Sequence, residues 1–101
     1  MIKHIVFLKH TNEDSSLKQD ILKELAKRLN SLPSKISEID SLEVGFNFSD
    51  RDSAYDLALL TTFNNESDLN TYRFHKDHLK VIEYIKQSKL QTAVVDYNFN
   101  N

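Results

Sequence analysis

Two segments of this chain read as β-strands that are apolar on both faces, and that pair constrains the fold more than any other feature. Ile2 to Lys9 is rich in β-branched and aromatic residues, with Ile2, His4, Val6 and Leu8 on one parity and Ile5 and Phe7 on the other. Tyr55 to Phe63 repeats the pattern, Leu57, Leu59 and Phe63 alternating with Ala58 and Leu60. Successive side chains of a strand point to opposite faces of the sheet, so both segments need cover on two sides. Leu42 to Phe48 differs: Leu42, Val44, Phe46 and Phe48 form one apolar side, and Glu43, Gly45 and Asn47 the other side, so one covered face suffices. A last strand is expected over Leu90 to Phe99.

The remaining segments have helical spacing. Leu17, Ile21, Leu25, Leu29 and Leu32 form one stripe of a helix expected to end near Pro33. Its start lies in the capping-rich run Thr11 to Ser16, with Ser16 and Gln19 at capping-box spacing. A connector holds Ile36 and Ile39, and the polar stretch Ser49 to Ser53 reads as a hairpin turn. Asn64 to Ser67 caps a second helical region that carries Leu69 and Tyr72, breaks around His75 to His78, and resumes with Leu79, Ile82 and Ile85.

The resulting order, β-α-β-β-α-β, predicts an α+β ferredoxin-like domain with a four-stranded antiparallel sheet and the helices on one face. The first and third strands are then central, and these are the two-faced ones. Helices cover only one of their faces. A second copy of the chain covers the other most simply, sheet against sheet about a two-fold axis, so a homodimer is expected. The 101 residues contain one glycine and one proline, which leaves no linker, and residues 1–101 read as a single domain.

Composition excludes several functions. Thirteen Lys and Arg against fifteen Asp and Glu give a net charge of −2 with no block of either sign, so neither nucleic acid nor a membrane surface is an expected partner. With no cysteine there are no disulfides, thiol nucleophiles or thiolate metal sites. The apolar runs, such as Leu57 to Leu60, are too short to span a bilayer, and the first residues lack a signal-peptide pattern. A cytoplasmic protein is expected.

Reactive side chains concentrate in one stretch, Tyr72, His75 and His78, with His4 in the first strand and Asp96 in the last. A histidine titrates near neutrality and suits general-base work, and a tyrosine hydroxyl can bind or protonate an oxygen. Asp96 stands mid-strand on the parity of Val94, and an orienting partnership with His78 is expected. Since His78 belongs to the helical layer, the parity of His4, Val6, Leu8, Val94 and Asp96 must face the helices, placing a pocket between helices and sheet. Ile5, Phe7, Val95 and Tyr97 then face the partner copy. A structural role suits the same residues, since two histidines and a tyrosine at a helix break also close a turn by side-chain hydrogen bonds. His75 and His78, with Asp77 or His4, have no metalloprotease or facial-triad spacing, and no metal is expected. His10 reads as a solvated loop residue. Lys18, Asp20, Lys23, Glu24, Lys27 and Arg28 form a solvated helix face, with Glu24 and Arg28 at ion-pair spacing.

Taken together, Lys3-His4-Ile5-Val6-Phe7-Leu8-Lys9, Glu43-Val44-Gly45, Phe63, Tyr72-x-x-His75-x-x-His78 and Asp96-Tyr97 resemble the stress-responsive A/B barrel domains, or Dabb family. The resemblance covers nearly the whole chain. It implies a dimeric α+β barrel akin to small monooxygenases, haem-degrading enzymes and lactone isomerases. The Tyr/His motif is similar to that of the plant olivetolic acid cyclase, a family member that closes a linear polyketide by aldol condensation. Carried over, His78 is the base, Tyr72 the hydroxyl that polarises a carbonyl, Asp96 the residue that orients His78, His4 a pocket residue and His75 structural. Many relatives have proline where this chain has Lys76. The expected function is binding of a small hydrophobic or carbonyl-containing molecule without a cofactor, with His4, Val6, Leu8 and Val94 lining the pocket. The alternatives are a cofactor-independent lyase or isomerase, and a small monooxygenase or haem-degrading barrel.

Overall fold

The computed structural model describes residues 1–11 and 14–100. Asn12 and Glu13, part of the run expected to cap the first helix, lie outside the described residues. The elements are β1 (Ile2–Lys9), α1 (Ser15–Asn30), a 3₁₀ turn (Leu32–Ser34), β2 (Ser41–Phe46), β3 (Leu57–Phe63), α2 (Glu66–Phe74), α3 (Lys76–Gln87) and β4 (Gln91–Asn98). The strands form one antiparallel sheet in the order β2-β3-β1-β4, which makes β1 and β3 central as expected.

The core lies between the sheet and the helices. β1 contributes Ile2, Val6 and Leu8, and β3 contributes Leu57, Leu59 and Phe63, each from the parity that faces the helices. Against them pack Leu22, Leu25, Ala26 and Leu29 of α1, Leu69 and Tyr72 of α2, and Val81 of α3. Burial of this apolar surface is the main stabilising force. The opposite parity has no cover within one chain: Phe7, Val95 and Tyr97 are 43%, 56% and 42% exposed.

Four local expectations are corrected. The N-cap of α1 is Asp14, not Ser16; its Oδ1 accepts the N–H groups of Ser16 and Leu17 at 3.0 and 3.1 Å, and so the helix begins at Ser15. The buried face of the helix is Leu22, Leu25, Ala26 and Leu29, while Leu17 in the first turn is exposed. β2 stops at Phe46, and both Phe46, at the strand's end beside α1, and Phe48, beyond it, are exposed. His10 is buried, not solvated. Its N–H donates to Asp56 Oδ2 at 2.8 Å, and the other carboxylate oxygen of Asp56 meets Lys18 Nζ at 2.9 Å, tying the end of β1 to α1.

Candidate functional site

A cavity of about 480 Å³ opens between α2 and α3 on one side and β1 and β4 on the other, within the size range of small-molecule pockets. His4, Val6 and Leu8 of β1 line it, with Thr92, Val94 and Asp96 of β4. The antiparallel register sets these strand residues side by side, His4 opposite Asp96, Val6 opposite Val94 and Leu8 opposite Thr92. The helices add Tyr72, Arg73, His78, Val81, Ile82, Ile85 and Lys86. His4, Val6, Leu8, Tyr72, His78, Val94 and Asp96, all selected on sequence, thus border one space. His75 does not line it.

Tyr72 stands in the last turns of α2 and is fully buried. Its ring packs 5.1 Å from that of Phe63 and edge-on to His4 at 5.9 Å, centroid to centroid. The hydroxyl has no hydrogen-bond partner, an uncommon condition for a buried O–H. Burial also raises its pKa far above the ordinary phenol value, so the group stays protonated and available as a donor.

The His78 ring also packs against Tyr72, and its position follows from the helix break. In an unbroken helix the Arg73 carbonyl would accept the N–H of residue 77. Here His75 adopts an extended conformation (φ −65°, ψ 138°) and caps α3, its Nδ1 accepting the Asp77 N–H at 3.1 Å. The Arg73 carbonyl is thereby left for His78 Nδ1, 3.0 Å away. A carbonyl only accepts, so Nδ1 carries the hydrogen and Nε2 of the neutral ring keeps a lone pair. Burial lowers the His78 pKa most, outweighing the raising effect of that hydrogen bond, and the neighbouring His4, Arg73 and His75 side chains lower it further. The lowered pKa favours the neutral imidazole of His78, with the lone pair on Nε2.

Asp96 does not orient His78, contrary to expectation. Its Oδ1 is paired with His4 Nδ1, its cross-strand neighbour. Direct opposition on adjacent strands brings the two together, whereas His78 is already held by the Arg73 carbonyl at the end of α2. The pair fixes the His4 ring, and Thr61 supports the same strand by donating its Oγ1–H to the His4 carbonyl at 3.1 Å. Among the described residues, no group of three or more His, Cys, Asp or Glu is placed to hold a metal ion.

Sequence reasoning did not single out Leu29, Leu59, Arg73, Val81, Lys86, Leu90 and Thr92 as lining residues. Lys86 was accessible, because it continues the His78, Ile82 and Ile85 face of α3. Leu59 lies opposite Val6 in the sheet, a contact only the register reveals.

The model of the stress responsive A/B barrel domain family matches residues 2–99. The chain belongs to that family. Among crystal structures, this A/B barrel protein is similar to a dimeric ferredoxin-like protein of unknown function from Bacteroides fragilis. The two share 30% identity over 97% of this chain and 95% of that one, with a TM-score of 0.87. It shares its fold with a hydroxynitrile lyase from Passiflora edulis, at 18% identity over 98% and 93% of the chains with a TM-score of 0.81. It also shares its fold with a putative antibiotic biosynthesis monooxygenase from Deinococcus radiodurans, at 12% identity over 100% and 94% with a TM-score of 0.70. No curated protein matches this A/B barrel sequence. No helix among its described residues is long and apolar enough to cross a membrane.

Proposed function

We propose that this A/B barrel protein is a homodimer that takes up a small, largely apolar molecule with a carbonyl group in each subunit and acts on it by acid/base chemistry. The observation that carries this reading is the buried, unpartnered hydroxyl of Tyr72 beside the His78 ring, at the polar end of a cavity whose middle is apolar. Tyr72 donates its O–H to the carbonyl oxygen. His78 Nε2 removes a proton from the carbon next to the carbonyl, and the electron pair of the broken C–H bond moves onto the oxygen held by Tyr72. The enolate then regains a proton or attacks a second carbonyl, as in an aldol closure. This chemistry draws on no metal or organic cofactor. His4, fixed by Asp96, borders the same space and supplies a second imidazole at the oxygen end.

Dimer formation is supported by the uncovered face of Ile5, Phe7, Val95 and Tyr97 and by the dimeric relative of 30% identity. A lyase among the structural neighbours supports lyase chemistry on this scaffold.

Methyl hexyl ketone in deuterated water tests the reading without the natural substrate. The protein should bind the ketone and catalyse exchange of its α-hydrogens, and His78→Gln should slow that exchange about 100-fold or more, the usual contribution of a positioned base. Binding without exchange would leave a carrier of apolar molecules and remove the enzyme.

A further inference from the structure

The cavity has a direction. From His4 to Leu8 it runs four strand residues, on the order of 13 Å at the rise of a β-strand. On the helix side His78 to Lys86 is eight residues, about 12 Å at the helical rise. The two walls therefore run in step. One end collects the polar groups, His4, Asp96, Tyr72, His78 and Arg73, whose guanidinium lies over the Phe74 ring. The middle is bounded by Val6, Val94, Val81, Ile82 and Ile85. The other end holds Leu8, Leu90, Thr92 and Lys86.

Leu90 reaches that end through the helix terminus. Lys89 takes a left-handed conformation (φ 56°), the Lys89 N–H bonds to the Lys86 carbonyl at 3.1 Å, and the Leu90 N–H bonds to the Ile85 carbonyl at 3.2 Å. This double closure of the helix fixes the backbone at Lys86 while its side chain stays exposed. Among the described residues Lys86 forms no ion pair. The acidic residue on the cavity wall, Asp96, lies at the opposite end and is engaged by His4.

We infer that the ligand is an elongated amphipathic anion: a carbonyl seated at Tyr72 and His78, an apolar chain across the middle, and a carboxylate at the far end paired with Lys86. A medium-chain oxo acid has this form. The inference rests on the reading of the cavity as the ligand site, and it names the class that site selects.

Calorimetric titration with decanoate and with decanol, a neutral probe of the same chain, tests it. Both should bind, decanoate about two- to fivefold tighter, the gain expected of one partly exposed ion pair. Lys86→Gln, at an exposed position that leaves the core intact, should erase the difference by weakening decanoate alone, and a molar salt concentration should do the same in the unaltered protein. Equal affinities for the two probes would overturn the carboxylate assignment and leave the cavity reading standing. If neither probe binds, both readings fall. An oxo group at the end of the chain remote from the carboxylate should tighten binding further, and that increment should vanish in Tyr72→Phe while the decanoate-to-decanol ratio persists.

Discussion

The imidazole of His78 lies 4.2 Å, centroid to centroid, from the ring of Tyr72, the two planes inclined by 37°. The contact joins a phenol that burial keeps protonated to an imidazole whose neutral form burial favours. One desolvated environment thus prepares a donor and a base side by side.

The Tyr72 hydroxyl has a measurable energetic signature. A buried polar group without a partner costs about 1–3 kcal/mol. Tyr72→Phe should therefore raise the stability of the ligand-free protein by about 1 kcal/mol in urea unfolding, while weakening binding of ketones. A clear loss of stability would show that the hydroxyl is satisfied in the free protein.

His78 should leave a trace in the pH dependence of stability. Its folded pKa lies below the ordinary value of 6.5. Between the two, the unfolded chain binds more protons than the folded one, so stability rises with pH across that window and is fully recovered above the unfolded value. His78→Gln should flatten this rise in urea titrations run from about pH 5 to about pH 7. Exchange catalysis should follow the same limb, since only the unprotonated ring accepts a proton. A profile unchanged by the substitution would assign the titration elsewhere.

Because Asp96 holds His4, Asp96→Asn should alter the imidazole nitrogen signals of His4 and leave those of His78 in place. Nitrogen-resolved NMR distinguishes the two rings. A change confined to His78 would restore the partnership expected from the sequence.

His75 positions His78 without touching the cavity. In His75→Ala the Asp77 N–H loses its acceptor, at a cost of about 1 kcal/mol for a missing cap. It then competes for the Arg73 carbonyl that fixes the His78 tautomer. The tautomer population and the α-hydrogen exchange rate should both suffer. His75→Asn, which can still cap, should recover them. Equal rates in the two variants would reduce His75 to a stability role.

The exposed sheet face predicts the oligomer. Phe7→Glu places a charge where a second sheet would pack, at a side chain already 43% exposed in the single chain, so the subunit should stay folded. Sedimentation should report a dimer for the unaltered protein and a monomer for the variant. A monomeric unaltered protein would remove the dimer altogether.

The sheet order was legible because two-faced strands must be central, and β1 and β3 are. The grouping of His4, Val6, Val94 and Asp96 was legible too, since strand parity has a period of two and helix cover is on one side. What the sequence concealed was register and phase. Parity set His4 and Asp96 on one face but did not say that they are direct neighbours, and so Asp96 was matched to the wrong histidine. Leu17 lies in the first turn and is exposed while Leu22 is buried, because the side of α1 that packs on the sheet is decided by tertiary contacts that the leucine spacing alone does not show. The interruption after Tyr72 was recognisable, yet its effect was not: a capping histidine redirects one backbone carbonyl.

β4 contributes Val94 and Thr92 to the cavity wall, yet both remain exposed there. The folded chain thus has an unfilled portion of its own interior, and a ligand entering it would complete the packing. Occupancy and resistance to heat are then two readings of one equilibrium, since a molecule that binds only the folded state stabilises it by an amount set by its concentration over its dissociation constant. A collection of oxo acids ranked by the melting temperature each confers would accordingly order them by affinity, before any reaction has been observed.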